Sequence, residues 1–494
     1  MIGLLRIVDL PPPFSKSFNF AVGVLLLVNE GEKEKKMRKQ TIYLLTLLLT
    51  FLTLIFSTDV QATPLEDAKS IVQSIYVGDV NGDIEKVDTL DQLFQMLDPY
   101  SEYYTYEQFI ELQNQINQTS VGVGIVVEQV DEGILVVSVI ENSSAYEAHI
   151  QAGDIITHVN GISIKGYSID SATSLIKGTP GTTVTLELKK TDGTVYSKTL
   201  TRKAFSVPVV MSSLLYGNIG YISLSSFAEN SAYEVKKEAI DLQQLGAKSF
   251  IIDLQNNTGG YVTTARQLIS LFPNTPQAYI EKQKFNLLKV TPLNLNYKLP
   301  GKSRLLINRY SASASEMVAA SLMDQQAATV YGEKSYGKGT VQGFYELSDG
   351  ILKLTQAEFF GPNNMKINGV GVKPNIETKS NPLFAAHLDA ITEQLNNYIK
   401  LKSFTNVHTT KTFTLTFNKS ITSSIPASAI ELVTLGGNAV GINIEKNDAQ
   451  LIVTPKEPLL KGREYVLIVH PNQFTGDHKQ LKKGYYSHIT VGLE

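Results

Sequence analysis

No cysteine occurs anywhere in the 494 residues. That excludes disulfides, thiolate metal sites and a thiol nucleophile. HExxH, an EF-hand loop and a Walker A sequence are also missing, so the sequence supports neither a metal nor a nucleotide cofactor. A formal net charge of −3 argues against a nucleic-acid surface. Histidine is sparse and unevenly placed. His149, His158, His387, His408, His470, His478 and His488 leave residues 159–386 without an imidazole. A chain of this length carries two to four domains, and no low-complexity tract interrupts it.

Residues 37–62 read MRKQTIYLLTLLLTFLTLIFSTDVQA. Arg38 and Lys39 form a basic start, residues 42–56 an apolar run, and Val60-Gln61-Ala62 a small-residue cleavage site. All three parts of a secretory signal are present, and the run is short for a stable span. An uncleaved anchor is the alternative reading. Met37 reads as the natural start, with residues 1–36 as an upstream extension.

From Leu65 to about Gln115 the apolar spacing is helical, as in Ala68, Ile71, Val72 and Ile75. Asp98-Pro99-Tyr100-Ser101 breaks it, because a residue before proline is pushed out of the α region. At Ser120 the period changes to two, giving the strands VGVGIVVEQ, GILVVSVI, IITHVNG and TVTLELKK and a short helix at 169–176. This order, over about 115–203, resembles a PDZ domain. Gly122-Val123-Gly124-Ile125 would then offer backbone N–H groups to a terminal carboxylate, and the adjacent strand edge would pair with an extended peptide.

Strand and helix alternate from Gly217. A helix over 231–245 carries a capping-box pattern at Ser231 and Glu234. The apolar strand AKSFIIDLQ, the turn Asn256-Asn257-Thr258-Gly259-Gly260 and a helix over 262–271 follow. Next come the strand RLLIN, a helix at about 316–325, the strand ATVYG and a hairpin around Asp349-Gly350. The alternation predicts a sheet with crossover helices. After a helix over 381–401 the chain turns all-β, with strands spaced as in a sandwich. FTLTFNK, LIVTPKEPL and the spacing of REYVLIVH resemble immunoglobulin-like modules of Gram-positive surface proteins.

One run, Asn308 to Gln342, concentrates the candidate chemistry: NRYSASASEMVAASLMDQQAATVYGEKSYGKGTVQ. A serine needs a base before it attacks a carbonyl. With no imidazole in the segment, Lys338 is the economical partner. Such a lysine must be neutral near pH 7, which asks for roughly three pKa units, or about 4 kcal/mol, against the free ammonium. Burial supplies that, provided no carboxylate pairs with it. Tyr336, Val341 and Phe344 are the expected apolar neighbours, and Glu333 is the nearest acid in sequence. Two competing readings remain at the serines. Ser313 or Ser315 could cap the helix, since Ser313 and Glu316 fit the capping-box spacing. Ser335 and Lys338 spell SxxK, as in penicillin-binding enzymes, but Gly337 and Gly339 disfavour the helix that motif needs.

SASASE, GEKSYGKGTVQ, NGVGVKPNIE at 368–377, DLQNNTGG at 253–260 and LDPYSEYY at 97–104 together resemble the C-terminal processing peptidases, or tail-specific proteases. The resemblance covers residues 65–400. It implies Ser313 as nucleophile, Lys338 as general base and Gln342 as the residue orienting the lysine. It also implies an oxyanion hole from the N–H of Ala314 with Gly259 or Gly260. Two departures stand out. Gln255 and Thr258 replace the family's usual arginine and proline, and Lys177 replaces an arginine tied to coupling of peptide binding to activation.

The expected fold class is multidomain α+β: an α/β, ClpP/crotonase-like protease core, an inserted PDZ domain and a C-terminal β-sandwich. The expected divisions are 1–62 (extension and signal), 63–114 (helical), 115–203 (PDZ-like), 204–402 (core) and 405–494 (Ig-like). The expected protein is an exported serine endopeptidase, extracellular or on a Gram-positive surface, acting on proteins or peptides with free C-termini. No cofactor, metal or nucleic acid is expected. The cell wall or surface, through the C-terminal module, and a second copy in a homodimer are further candidate partners. A catalytically silent peptide-binding scaffold is the alternative function.

Overall fold

In the strand Ser249–Asp253 successive side chains serve two different cores. Phe250 and Ile252 belong to one apolar cluster and Ile251 to another, all fully buried. A strand with both faces covered reads as a continuous apolar run. The computed structural model describes residues 63–493 apart from 379, 419, 421–424, 472–474 and 477–478. Residues 1–62, where an export segment and an upstream extension are expected, lie outside the described residues.

That strand is third in a six-stranded sheet. Val210–Leu215 pairs antiparallel with Ile219–Leu224, and Ser249–Asp253, Ser303–Ile307, Ala328–Gly332 and Ile376–Glu377 follow in parallel. The helices Ser231–Gln244, Val262–Ile269 and Ala314–Asp324 cover one face. The helix Pro382–Gln394 and part of the C-terminal module cover the other. Each fully buried Leu, Ile or Phe contributes about 1.5–3 kcal/mol to holding these layers together. Because Ser249–Asp253 and Ser303–Ile307 are parallel neighbours, the loops leaving their C-terminal ends emerge side by side. Ligands of open α/β sheets bind at such edges.

A second sheet holds Glu102–Tyr104, Gly350–Phe360, Tyr279–Gln283 and Leu287–Val290, with Thr340–Leu347 paired to Gly350–Phe360. The expected hairpin at Asp349-Gly350 is therefore present. The N-terminal helices pack on this sheet through Ala68, Val72, Leu93, Leu352 and Leu354. The stretch expected to be helical with a break at Asp98–Ser101 holds three α-helices, Pro64–Ile75, Leu90–Gln95 and Tyr106–Ile116, and the strand Glu102–Tyr104 follows the break.

Other boundaries shift for local reasons. Ser231 does not cap its helix, because its hydroxyl donates back to Ala228 O (3.1 Å) and Asn230 takes the cap position. The helix expected over 381–401 ends at Gln394, and Ile399–Lys400 joins the C-terminal sheet.

The PDZ-like segment is an antiparallel sheet in the order Ile125–Val130, Gly133–Val139, Ile155–Val159, Thr183–Lys189, Val195–Thr201, with its own core. Paired strands Thr119–Gly122 and Lys203–Ser206 join it to the rest. After residue 403 two sheets face one another around Phe413, Leu432, Leu451, Val453, Leu467 and Ile489, which makes the expected sandwich.

Candidate active site

Three serines open the helix Ala314–Asp324, and their surroundings separate them. Ser311 Oγ donates to Leu254 O and Ser315 Oγ to Asn257 O, both at 2.7 Å, and both residues are fully buried. Ser313 alone is partly exposed. Its backbone is unusual, with φ 55° and ψ −113°. A non-glycine residue held there costs about 1–3 kcal/mol and persists only where its surroundings enforce it.

Glu316 supplies much of that enforcement. Its carboxylate accepts from the N–H of Ser313 (2.9 Å) and Lys338 (2.8 Å) on one oxygen. The other oxygen accepts from the N–H of Gly337 and from Ser335 Oγ, both at 2.6 Å. Two bonds through a single oxygen hold the backbones at 313 and 338 close together. Burial pushes the Glu316 carboxyl above its ordinary pKa, and the four donors act against that. From sequence Glu316 reads only as the third helical position of a cap. Its contact with residues 335–338 is a long-range closure that no local pattern reveals.

Lys338 reaches the site from a loop whose glycines allow close approach. Gly337 has φ 102°, and a Cβ on Gly339 would lie 2.3 Å from Asn368 N. The segment 368–372 backs this loop, with Gly369 N–H donating to Gly337 O (2.9 Å) and Ser335 N–H to Val372 O (3.1 Å). The Lys338 amine makes no hydrogen bond or ion pair among the described residues. It lies 4.8 Å from the centre of the Tyr100 ring. Its pKa is lowered to about 8, first by burial and then by the nearby Lys353 charge, against the pull of Asp98, Glu102 and Glu316. Glu333, the nearest acid in sequence, is occupied by Arg309 (2.8 and 3.1 Å). Of the expected apolar neighbours Val341 is buried, whereas Tyr336 and Phe344 are exposed.

The remaining positions are less simply placed. Gln342 Nε2 donates to the hydroxyls of Thr340 (2.9 Å) and Thr355 (3.1 Å), so it does not hold Lys338 by that group. Ala314 is the first residue of its helix, where an N–H has no intrahelical acceptor. Gly259 lies against the serine: a Cβ there would sit 2.9 Å from Ser313 Cβ and 3.2 Å from Ala314 N. Its N–H, however, donates to Asn257 Oδ1 (2.9 Å). Gly260 N–H has no acceptor among the described residues. Asn257, fully buried, ties the two loops together, since its carbonyl also accepts from Ala312 N–H (3.0 Å) and Ser315 Oγ. Ser335, the alternative nucleophile, is buried between Glu316 and Val372 N–H (2.6 Å) and is a structural strut.

In the PDZ-like domain Gly122 ends one strand and Ile125 begins the edge strand of the sheet. Val123 and Gly124 lie between them, and their N–H groups have no acceptor among the described residues. Gly124 takes φ 80°. Lys177 is exposed and makes no ion pair among the described residues. Arg202 instead caps the preceding helix through Ile176 O (2.8 Å) and Leu175 O (3.1 Å).

Comparison with known proteins gives matches at the level of family. Residues 218–378 match the model of peptidase family S41, and residues 135–190 that of the PDZ domain. A probable CtpA-like serine protease of Staphylococcus epidermidis is 31% identical over 353 residues, covering 68% of this chain and 71% of that protein. The carboxy-terminal processing protease CtpA of Bacillus subtilis is 34% identical over 304 residues, 61% of this chain and 63% of its own. A probable CtpA-like serine protease of Staphylococcus haemolyticus is 32% identical over 293 residues, and the chain spans 58% of its length.

Proposed function

The chain belongs to peptidase family S41, and from that premise we propose that it is a serine endopeptidase of the C-terminal processing type working through Ser313 and Lys338. The observation that carries this reading is the clasp at Glu316, which holds the backbones of both residues on one carboxylate while the amine stays unpaired. In the proposed mechanism the neutral amine takes the Ser313 Oγ proton as Oγ attacks the substrate carbonyl. The negative oxygen that forms is met by Ala314 N–H and a glycine N–H of the 259–260 pair. For Gly259 this means exchanging Asn257 Oδ1 for the substrate. The ammonium then returns its proton to the leaving amine, and water, deprotonated by the same lysine, hydrolyses the acyl ester. Gln342, whose Oε1 accepts no bond among the described residues, would turn that oxygen to the amine to orient it.

The N–H groups of Val123 and Gly124, without an acceptor among the described residues and beside an open strand edge, support capture of a substrate C-terminus by the PDZ domain. We read the protein as exported and active outside the cytoplasm, with the C-terminal sandwich as an immunoglobulin-like surface module. Turnover of an unfolded protein substrate tests the dyad. Ser313→Ala and Lys338→Ala are each expected to reduce it at least a thousandfold. Unchanged turnover in either would return the chain to the reading of a silent peptide-binding scaffold.

A further inference from the structure

We propose that Tyr100 is a positioning residue for Lys338: its ring forms the wall that keeps water from the amine, and the segment 97–104 exists to present it. This deepens the reading above and rests on the dyad assigned there. The Lys338 amine lies 4.8 Å from the ring centre and has no other polar partner among the described residues.

The presentation of the ring is built, step by step, from the motif around it. Tyr100 N–H donates to Asp98 Oδ1 (2.8 Å), and Asp98 N–H to the Tyr76 hydroxyl (2.8 Å), which fixes the turn. Ser101, buried, accepts from Thr355 N–H (3.2 Å), and Thr355 Oγ1 in turn accepts from Gln342. The strand Glu102–Tyr104 then pairs with residues 351–353. The turn is thereby bolted to the sheet that carries Gln342, and a small tilt of the ring would uncover the amine. Burial raises the Tyr100 phenol itself, which stays neutral and adds no charge to the pocket.

Two effects of the ring oppose one another. Excluding water favours the neutral amine, while the face of the ring attracts an ammonium. We assign the first the larger weight because burial leads the causes of the lowered Lys338 pKa. The two effects move that pKa in opposite directions, so the sign of one measurement decides between them.

The test titrates Lys338 in the Ser313→Ala protein, so that no activity enters. The rate of acetylation of Lys338 by acetic anhydride is followed across pH by mass spectrometry. With Tyr100 intact the midpoint is expected near 8. Tyr100→Phe keeps the ring and is expected to keep that midpoint. Tyr100→Ala is expected to raise it by at least a unit, which corresponds to about a tenfold loss of neutral amine at pH 7. Circular dichroism confirms that each variant is folded, and Tyr100→Asn, which removes the ring and admits water to the amine, replaces alanine if that variant unfolds. An unchanged or lowered midpoint in the ring-deleted variant overturns the proposal. Failure of the dyad would look different: a midpoint near 8 that rises on deleting the ring, in a protein whose turnover does not need Lys338.

Discussion

At the scale of single residues, the site turns on keeping one amine uncharged. Peptidase activity through Lys338 requires the neutral form, so kcat/KM is expected to rise with pH and reach half its maximum near 8. The same burial carries a stability cost. The folded pKa lies below that of the unfolded lysine, so below about pH 8 the folded chain holds a buried ammonium at a penalty of roughly 3 kcal/mol. The penalty fades as pH rises from there towards the unfolded value. Lys338→Met is therefore expected to be inactive yet more stable than wild type by about 1–3 kcal/mol at pH 7. That advantage should shrink between pH 8 and 10, as chemical denaturation at several pH values would reveal. An equal ΔG difference at every pH would mean that the ammonium is not penalised. Elimination made a Ser–Lys pair the economical reading, with no cysteine anywhere and no histidine between residues 159 and 386, whereas the choice of Ser313 among the serines came from the family resemblance. Glu316 and Tyr100 were not legible, because their roles are contacts across 22 and 238 positions of sequence and neither residue type announces them.

At the scale of elements, two crossover loops and one glycine loop do the positioning. The parallel neighbours Ser249–Asp253 and Ser303–Ile307 deliver the glycine turn and the serine turn side by side. The alternation of strand and helix predicted a sheet with crossover helices, but not which two turns would be neighbours. The third element, the loop 335–339, is shaped from behind by residues 368–372. Its dependence on glycine is testable at Gly339, where an added methyl would meet backbone at 2.3 Å rather than a flexible side chain. Gly339→Ala is expected to displace Lys338 and cut kcat/KM by a hundredfold or more. The melting temperature should fall only by the few degrees of a one-to-two kcal/mol loss. Retained activity would show that the loop yields without moving the amine. The pattern of residues foretold glycine flanks but not their reason, since the segment they press against is 29 positions away.

At the scale of the whole molecule, the accessory domains differ in how they depend on the core. The PDZ-like domain encloses its own apolar cluster, from Val123 and Ile134 to Leu200, and meets the core through two paired strands. The C-terminal module does not stand apart in this way. Val433, Leu435, Val466 and Ile468 share one buried cluster with Ile251 and Leu306 of the central sheet and with Phe384 and Ile391 of its covering helix. Polar contacts seal the rim: Glu431 takes Tyr216 Oη and His470 Nε2, and His470 Nδ1 meets the Tyr398 hydroxyl at 2.9 Å. His387, buried beneath, accepts from Gly436 N–H (2.8 Å) and is kept neutral by burial, its pKa lowered to about 4. The sequence presents this module as a separate sandwich over 405–494, because the apolar residues that cover the central sheet sit among ordinary sandwich positions. Removing it should uncover a face of the core, at about 1.5–3 kcal/mol for each large side chain exposed. A chain of residues 63–402 is therefore expected to be insoluble or to melt without cooperativity, while residues 115–206 alone should melt cooperatively. Expression of both pieces, followed by scanning calorimetry, distinguishes the cases. A soluble, active 63–402 would show that the module is a passenger, and the buried cluster it shares with the sheet would then carry little of the stability assigned to it.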